Sequence, residues 1–357
     1  MARILVINTG STSTKLAVFE EEQKCTVTLE HSAQSLAGFA SPLEQLEMRT
    51  RMVTDFLNQN GFAIENFDAV AARGGSFAVF SAGAYFVDQS MIDAIHTAKV
   101  TPGAAWLACL IAHRLVEHTE IPAYIYDAVS VDEMDEIAHI SGLPEIPRRA
   151  AAHTLNSKAV ARMVAEKLGS RYEEMNFVVA HLGGGISTTA HCRGRIVDLV
   201  ADDEGTFSPE RAGNLPCSLL VDLCYCGAYT YPQMKKLMRG KGGLVGYLGT
   251  NDCTEVERRI AAGDTQAAMV YRAMAYQVSK DIAAMSAALS FEVDRVLLTG
   301  GIAYSKYLTD LICRRVAGIA PIEVVPGSFE MMALAAGILR VLRGEETAKS
   351  MGDVVLH

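Results

Sequence analysis

Two stretches of this 357-residue chain carry residue types suited to holding a phosphate. In the first, Ile4-Leu5-Val6-Ile7-Asn8-Thr9-Gly10-Ser11-Thr12-Ser13-Thr14-Lys15-Leu16-Ala17-Val18-Phe19, an apolar strand runs into a Gly/Ser/Thr turn and out into a second strand. Gly10 gives the backbone freedom for a tight turn and for close approach of an anion. Ser11, Thr12, Ser13 and Thr14 offer hydroxyl donors, and Lys15 adds a compact positive charge. The second stretch, Phe177-Val178-Val179-Ala180-His181-Leu182-Gly183-Gly184-Gly185-Ile186-Ser187-Thr188-Thr189-Ala190-His191-Cys192, repeats the order of strand, polar residue, glycine turn and strand. One such stretch is equally an ordinary hairpin turn. Two, one opening each half, point to an internal duplication and to nucleotide-dependent phosphoryl transfer.

The elements that must position these turns follow from hydrophobic periodicity. Strand patterns fall at Arg3–Asn8, Lys15–Glu20, Phe67–Ala72 and Ala123–Asp127, with helical patterns at Pro42–Asn60 and Ala104–Glu117. A stretch holding Pro144 and Pro147 then leads into a helical pattern at Ala151–Leu168, and the domain boundary is placed there. Beyond it come strands at Asn176–His181, Ile186–Cys192, Arg195–Leu199, Asp294–Thr299 and Pro321–Val325. Helices are expected at Leu215–Tyr225, Pro232–Met238, Thr254–Ala262, Thr265–Leu289, Tyr304–Val316 and Glu330–Leu342, the last with Ser328 as its cap. Alternating elements in each half predict an α/β protein of two mixed sheets flanked by helices, with the hairpin turns facing a cleft.

Bulk composition narrows the functional classes. Half of the residues are apolar and 20% are charged, ordinary for a folded protein of two domains. The formal charge of −9, with no basic run beyond Arg148-Arg149, argues against a nucleic-acid partner and against a membrane surface. No run of about 18 uncharged apolar residues occurs, so no membrane span is expected and a cytoplasmic location is. Eight scattered cysteines, with only Cys224 and Cys226 close together, read as free thiols rather than zinc ligands.

Four segments in order then bear a family likeness: Asn8-Thr9-Gly10-Ser11-Thr12-Ser13-Thr14-Lys15, His181-Leu182-Gly183-Gly184-Gly185-Ile186-Ser187, Phe207-Ser208-Pro209-Glu210-Arg211-Ala212-Gly213 and Thr299-Gly300-Gly301-Ile302-Ala303. Together they resemble the acetate kinase family, within the actin-like, sugar-kinase-like ATPases. Gly249-Thr250-Asn251-Asp252 leading into Glu255-Val256-Glu257-Arg258-Arg259-Ile260 is similar to the butyrate kinase branch. The resemblance implies two duplicated actin-like ATPase (ribonuclease H-like) domains, residues 1–148 and 149–329, with the helix 330–345 packing back on the first. It implies ATP/ADP and Mg²⁺ as cofactors and a short-chain carboxylate, butanoate first, as the substrate. Acetate, propionate or a branched acid is the alternative within the class. It also implies a homodimer or larger homo-oligomer.

Residue by residue, the resemblance assigns Asp127 to orienting Mg²⁺ or its waters and Glu330 to the magnesium site. His153 and Arg211 are implied to bind the transferring phosphoryl group. Asn8, Ser11, Ser13 and Lys15 match the first hairpin's phosphate contacts, and His181, Gly183, Gly184 and Gly185 match the second. Gly184 stands where acetate kinases carry Asn. Gly300, Gly301 and Ile302 look like the loop beneath the adenosine. Acetate kinases carry an Arg three residues before His-Gly-Gly; here Val70 holds that place and Arg73 directly precedes Gly74-Gly75, leaving Arg73 as the candidate carboxylate partner. A scaffold that closes on ATP without phosphorylating a small molecule is the alternative from another class, and Asp127, His153, Arg211 and Glu330 together argue against it.

Overall fold

The computed structural model describes residues 2–20 and 22–356. One compact unit comprises the chain up to Asp132 together with the segment from Phe329 onward; a second comprises Glu133–Ser328. Strands of the first are β1 (Arg3–Thr9), β2 (Ser13–Glu20), β3 (Glu22–Glu30), β4 (Ala69–Ala72), β5 (Ala78–Val79), β6 (Ala84–Phe86) and β7 (Ala123–Tyr126). Six of them form a mixed sheet in the order β3-β2-β1-β4-β7-β6. Strand β2 runs antiparallel to both β1 and β3, whereas β1, β4 and β7 are parallel.

The second unit repeats this plan. Its strands β8 (Asn176–Leu182), β9 (Ile186–Cys192), β10 (Arg195–Val200), β11 (Arg295–Gly300) and β12 (Ile322–Pro326) lie in the order β10-β9-β8-β11-β12. Here too the first three are antiparallel and the crossover strands parallel. Order and direction match β3-β2-β1-β4-β7, so the duplication inferred from two hairpins extends through five strands. In the first unit, β13 (Val355–Leu356) adds a short antiparallel pairing with β5.

Central strands are apolar almost throughout because helices cover both faces. Leu5 and Ile7 of β1, Val70 of β4 and Ile125 of β7 share one core with Trp106, Leu107 and Ile111 of the helix Trp106–Val116. Against Tyr126 lies the helix Glu330–Leu342, at a point where Gly337 comes so near that a Cβ would sit 2.5 Å from the ring. In the second unit Val178, Ala180 and Leu298 pack on Val278 and Ile282 of the long helix Thr265–Ala288.

Several details depart from the sequence reading. The helix Glu330–Leu342 takes Phe329, not Ser328, as its N-cap. The pattern at Pro42–Asn60 divides into a 3₁₀ turn at Pro42–Gln45 and a helix at Leu46–Gln59. Strands β3 and β6 and the helices Gln89–Thr97 and Gly243–Leu248 were not anticipated. Among the described residues, no helix is long and apolar enough to cross a membrane.

Candidate functional site

In the first unit the hairpin register sets which side chains share a face. Asn8 pairs with Lys15, and Thr9 with Thr14. Since side chains alternate along a strand, Ser13 and Lys15 point one way and Thr14 the other. Thr14 is buried against His31 Nε2 (2.9 Å), so it is not among the hydroxyls lining the open face, contrary to the sequence expectation. Ser11 and Lys15 are exposed, and Ser13 is half-buried. The turn is held from behind by Arg49, fully buried, whose guanidinium donates to the carbonyls of Gly10 (2.8 Å), Ser13 (3.0 Å) and Ser11 (3.2 Å). Gln45 Oε1 accepts from the same guanidinium at 2.7 and 3.0 Å. Burial pushes the Arg49 pKa down from its ordinary value.

Beside Asn8 lie the other candidates of this unit. Asn8 Nδ2 donates to Glu330 Oε2 at 2.9 Å, and Arg73 Nη2 lies 3.5 Å from Glu330 Oε1. Glu330 is the first residue of its helix, where a carboxylate also meets the positive end of the helix dipole. Arg73 continues the line of β4, its N–H donating to Ile7 O at 3.0 Å. Its Nη1 is buried without a hydrogen-bond partner. The glycines after it have structural causes: Gly74 has φ +68°, and a Cβ on Gly75 would sit 2.1 Å from the Trp106 ring. Val70, by contrast, is core. Asp127 follows β7 and is buried, with Oδ1 accepting from Gly83 N–H at 2.9 Å. Its φ of +41° is a left-handed conformation uncommon for an aspartate, a form of strain that gathers at functional sites.

The second unit assembles a cationic and hydrogen-bonding cluster around its glycine turn. His153, at the N-cap of the helix Thr154–Lys167, stacks on His181 with ring centroids 3.9 Å apart and planes 5° from parallel. His153 Nδ1 lies 2.9 Å from Ser187 Oγ, and His181 Nδ1 lies 3.0 Å from the Asn156 amide nitrogen. Arg211 lies over Gly185 so closely that a Cβ there would be 2.6 Å from its Cζ. The Arg211 guanidinium pairs with Asp202, which also takes Arg239 Nη2 at 2.9 Å. Burial, then the nearby Arg239 charge, push Arg211 down to about 10, which leaves it a cation at neutral pH.

The loop carrying Arg211 is fastened at two points. Ser208 Oγ donates to Gly184 O at 2.6 Å, and Asp281 Oδ2 accepts from the Thr206 N–H (2.8 Å) and hydroxyl (2.6 Å). Burial raises the Asp281 pKa, with the Thr206 hydrogen bonds opposing. A cavity of about 300 Å³ in this unit is lined by Gly184, Pro209, Glu210, Asn251, Asp252, Cys253, Thr254, Gly301 and Ile302. Gly300 has φ +92° and sits 2.3 Å, measured from a would-be Cβ, from Leu182 O, so the turn into this cavity admits no side chain.

Of the candidates, Asn8, Arg73 and Glu330 therefore meet in one place, His153 with His181 and Gly185 with Arg211 in another, and Gly184, Gly301 and Ile302 around one cavity. Among the described residues no three His, Cys, Asp or Glu side chains converge on a metal position. Mg²⁺ keeps waters and leans on phosphate oxygens rather than on a protein cage, so a carboxylate such as Asp127 or Glu330 is chemically suited to it without such a cluster. Sequence reasoning missed Arg49, Asn156, Asp202 and Asp281, whose residue types on helices and loops read as surface, and gave no role to Ser187 on β9. The one usable signal was the run Asp202-Asp203-Glu204 shortly before Arg211.

Comparison with known proteins gives consistent findings. A family model described as the acetokinase family matches residues 110–319. Butyrate kinase 2 of Clostridium acetobutylicum is 46% identical over 350 residues, covering 97% of this chain and 98% of that protein. Probable butyrate kinase 2 of Caldanaerobacter subterraneus is 44% identical over 354 residues, covering 99% and 100%. The crystal structure of Porphyromonas gingivalis acetate kinase superimposes with a TM-score of 0.79 at 19% identity, over 96% of this chain and 100% of that one. A propionate kinase from Francisella tularensis does so at 0.77 and 19%, over 94% and 99%. The last two likenesses bear on the fold alone.

Proposed function

The chain belongs to the acetokinase family, and from that membership we propose that it is a carboxylate kinase running butanoate + ATP = butanoyl phosphate + ADP reversibly, by direct in-line transfer. The observation that carries the substrate class is the identity spread over nearly the whole length of two butyrate kinases. The geometry supports the reaction type.

A short-chain acid has a pKa close to that of Asp or Glu and is ionised at neutral pH, so the attacking oxygen needs no base. The site's task is to align two anions and offset their repulsion. In this reading Arg211, a cation with a planar fork, grips equatorial oxygens of the moving phosphoryl group, with His153 and His181 donating beside it. In the first unit Asn8, Ser11, Ser13 and Lys15 are suited to phosphate oxygens, and in the second so is the backbone of Gly183, Gly184 and Gly185. Gly301 and Ile302 border the adenosine in the 300 Å³ cavity, with Gly300 in the turn that leads into it. The buried, unsatisfied Arg73 Nη1 is suited to the substrate carboxylate, since a guanidinium deprived of water favours an anionic acceptor. Mg²⁺, held through Asp127 and Glu330, would supply charge that draws the phosphate oxygens together. The enzyme works in the cytoplasm as a homo-oligomer in this reading.

The test is acyl-phosphate formation, trapped with hydroxylamine, across straight and branched acids of two to six carbons with ATP and Mg²⁺. A maximum at butanoate is expected. A maximum at acetate overturns the chain-length assignment, and no trapped product with any acid overturns the kinase.

A further inference from the structure

We infer that Asn156, oriented by Thr299, is a positioning residue that keeps the proton of His181 on Nε2 and so makes this histidine a fixed donor toward the glycine turn. The inference starts from one backbone carbonyl, which can only accept. Gly327 O takes the Thr299 hydroxyl at 3.3 Å and the Gly300 N–H at 3.0 Å, which uses both of its lone pairs. Having given its hydrogen away, Thr299 Oγ1 can only accept from the group opposite, the Asn156 amide nitrogen at 3.3 Å. That identifies the nitrogen end of the amide. Its second hydrogen points to His181 Nδ1, 3.0 Å away. Nδ1 must then carry a lone pair, and the neutral ring bears its hydrogen on Nε2.

Every member of this relay is shielded from water: Asn156 and Thr299 are 0% exposed and His181 is 7% exposed. Polar groups so deeply placed hold their hydrogen bonds because water offers no substitute. The parallel stack with His153 fixes the plane of the ring. Nε2 lies beside the glycine turn, 3.1 Å from where a Cβ on Gly183 would sit. Asn156 belongs to the helix Thr154–Lys167, Thr299 to β11 and His181 to β8, so three separate elements converge to set one proton. The relay deepens the proposed function and rests on it for the identity of the acceptor, a phosphate oxygen.

The tautomer can be read without turnover. In two-bond ¹H–¹⁵N spectra of the ¹⁵N-histidine-labelled protein, taken without nucleotide at a pH where the rings are neutral, His181 should show a bare Nδ1 and a protonated Nε2. Its signals are identified by their loss in His181→Gln. A protonated Nδ1 in the native protein overturns the inference, and that reading needs no other variant. Asn156→Asp, which turns the donor into an acceptor of the same shape, should move a proton onto Nδ1; an unchanged Nδ1 overturns it as well. In kinetics, Asn156→Leu should lower kcat about tenfold, with the KM for carboxylate within twofold. Unchanged kcat overturns the positioning role. Because the spectra hold no nucleotide or acid, they stand or fall separately from the kinase assignment.

Discussion

Replacing Gly185 by alanine should separate catalysis from folding. The backbone at Gly185 lies outside the left-handed region, so an alanine adopts it without strain. The added Cβ would, however, lie 2.6 Å from Arg211 Cζ and 2.7 Å from Nη1. Ordinary carbon contact begins near 3.5 Å, so the guanidinium must retreat by about 0.9 Å. Arg211 is long enough to do so cheaply, and the melting temperature should stay within about 2 °C of the parent. A donor that must meet a transition state cannot give way so easily. A displacement of about 1 Å costs on the order of a hundredfold in rate, or about 2.7 kcal/mol. We therefore expect kcat to fall about a hundredfold with the apparent affinity for ATP changed by less than about threefold. Gly318→Ala is the control, because nothing lies within 4 Å of a Cβ there and the residue belongs to no part of the proposed site. Coupled measurement of ADP release gives kcat, and scanning calorimetry gives the melting temperature. A Gly185→Ala enzyme with near-parental kcat and an unchanged melting temperature would refute the reasoning that Arg211 acts from this position.

Removing the cation altogether, Arg211→Ala should cut kcat by about a hundredfold or more while nucleotide affinity, measured by calorimetric titration, shifts only a few fold. Arg73→Ala should raise the KM for butanoate by about tenfold and leave that for ATP within about twofold; equal effects on both would remove Arg73 from substrate binding. Lys15 is exposed, so Lys15→Ala should weaken ATP binding without lowering the melting temperature, and a purely thermal effect would make it structural. Burial, reinforced by Lys158 and Arg162, holds the His191 imidazole well below 6.5 in the fold, whereas in the unfolded chain it protonates near that value. Its contribution to stability is thus fully present above about pH 6.5 and is lost as the pH falls below it. The melting temperature should drop between pH 7.5 and 5, and His191→Gln should flatten that dependence.

What was legible in the sequence was what repeats. The two hairpins stood out because alternating apolar residues flank glycine turns, and the paired sheets followed from them. Strand β3 escaped although Cys25, Val27 and Leu29 alternate inward, because an edge strand carries charge on its open side and Glu22, Lys24 and Glu30 masked the period. Thr14 was placed on the wrong face because the turn is shorter than its run of hydroxyl residues, and β2 already begins at Ser13. The supporting residues were invisible for a different reason. Arg49 in a helical pattern reads as a solvated charge, and only the tertiary fold shows its guanidinium spent on three carbonyls of a distant turn. Asn156 and Asp281 gain their meaning in the same way, from partners that no local pattern names.

The hydrogen bond from Asn8 to Glu330 joins residues 322 positions apart in the chain. At synthesis rates of roughly 5 to 20 residues per second, a ribosome that has finished the first strand works on for roughly 15 to 65 seconds before Glu330 emerges. The unit from Glu133 to Ser328 is one uninterrupted run and is complete by then, while the sheet begun earliest still lacks its closing helix. The opening unit is thus the last to have its whole sequence, and a nascent chain halted before Phe329 would contain every residue of the second unit but a first sheet lacking Glu330 and the helix it begins.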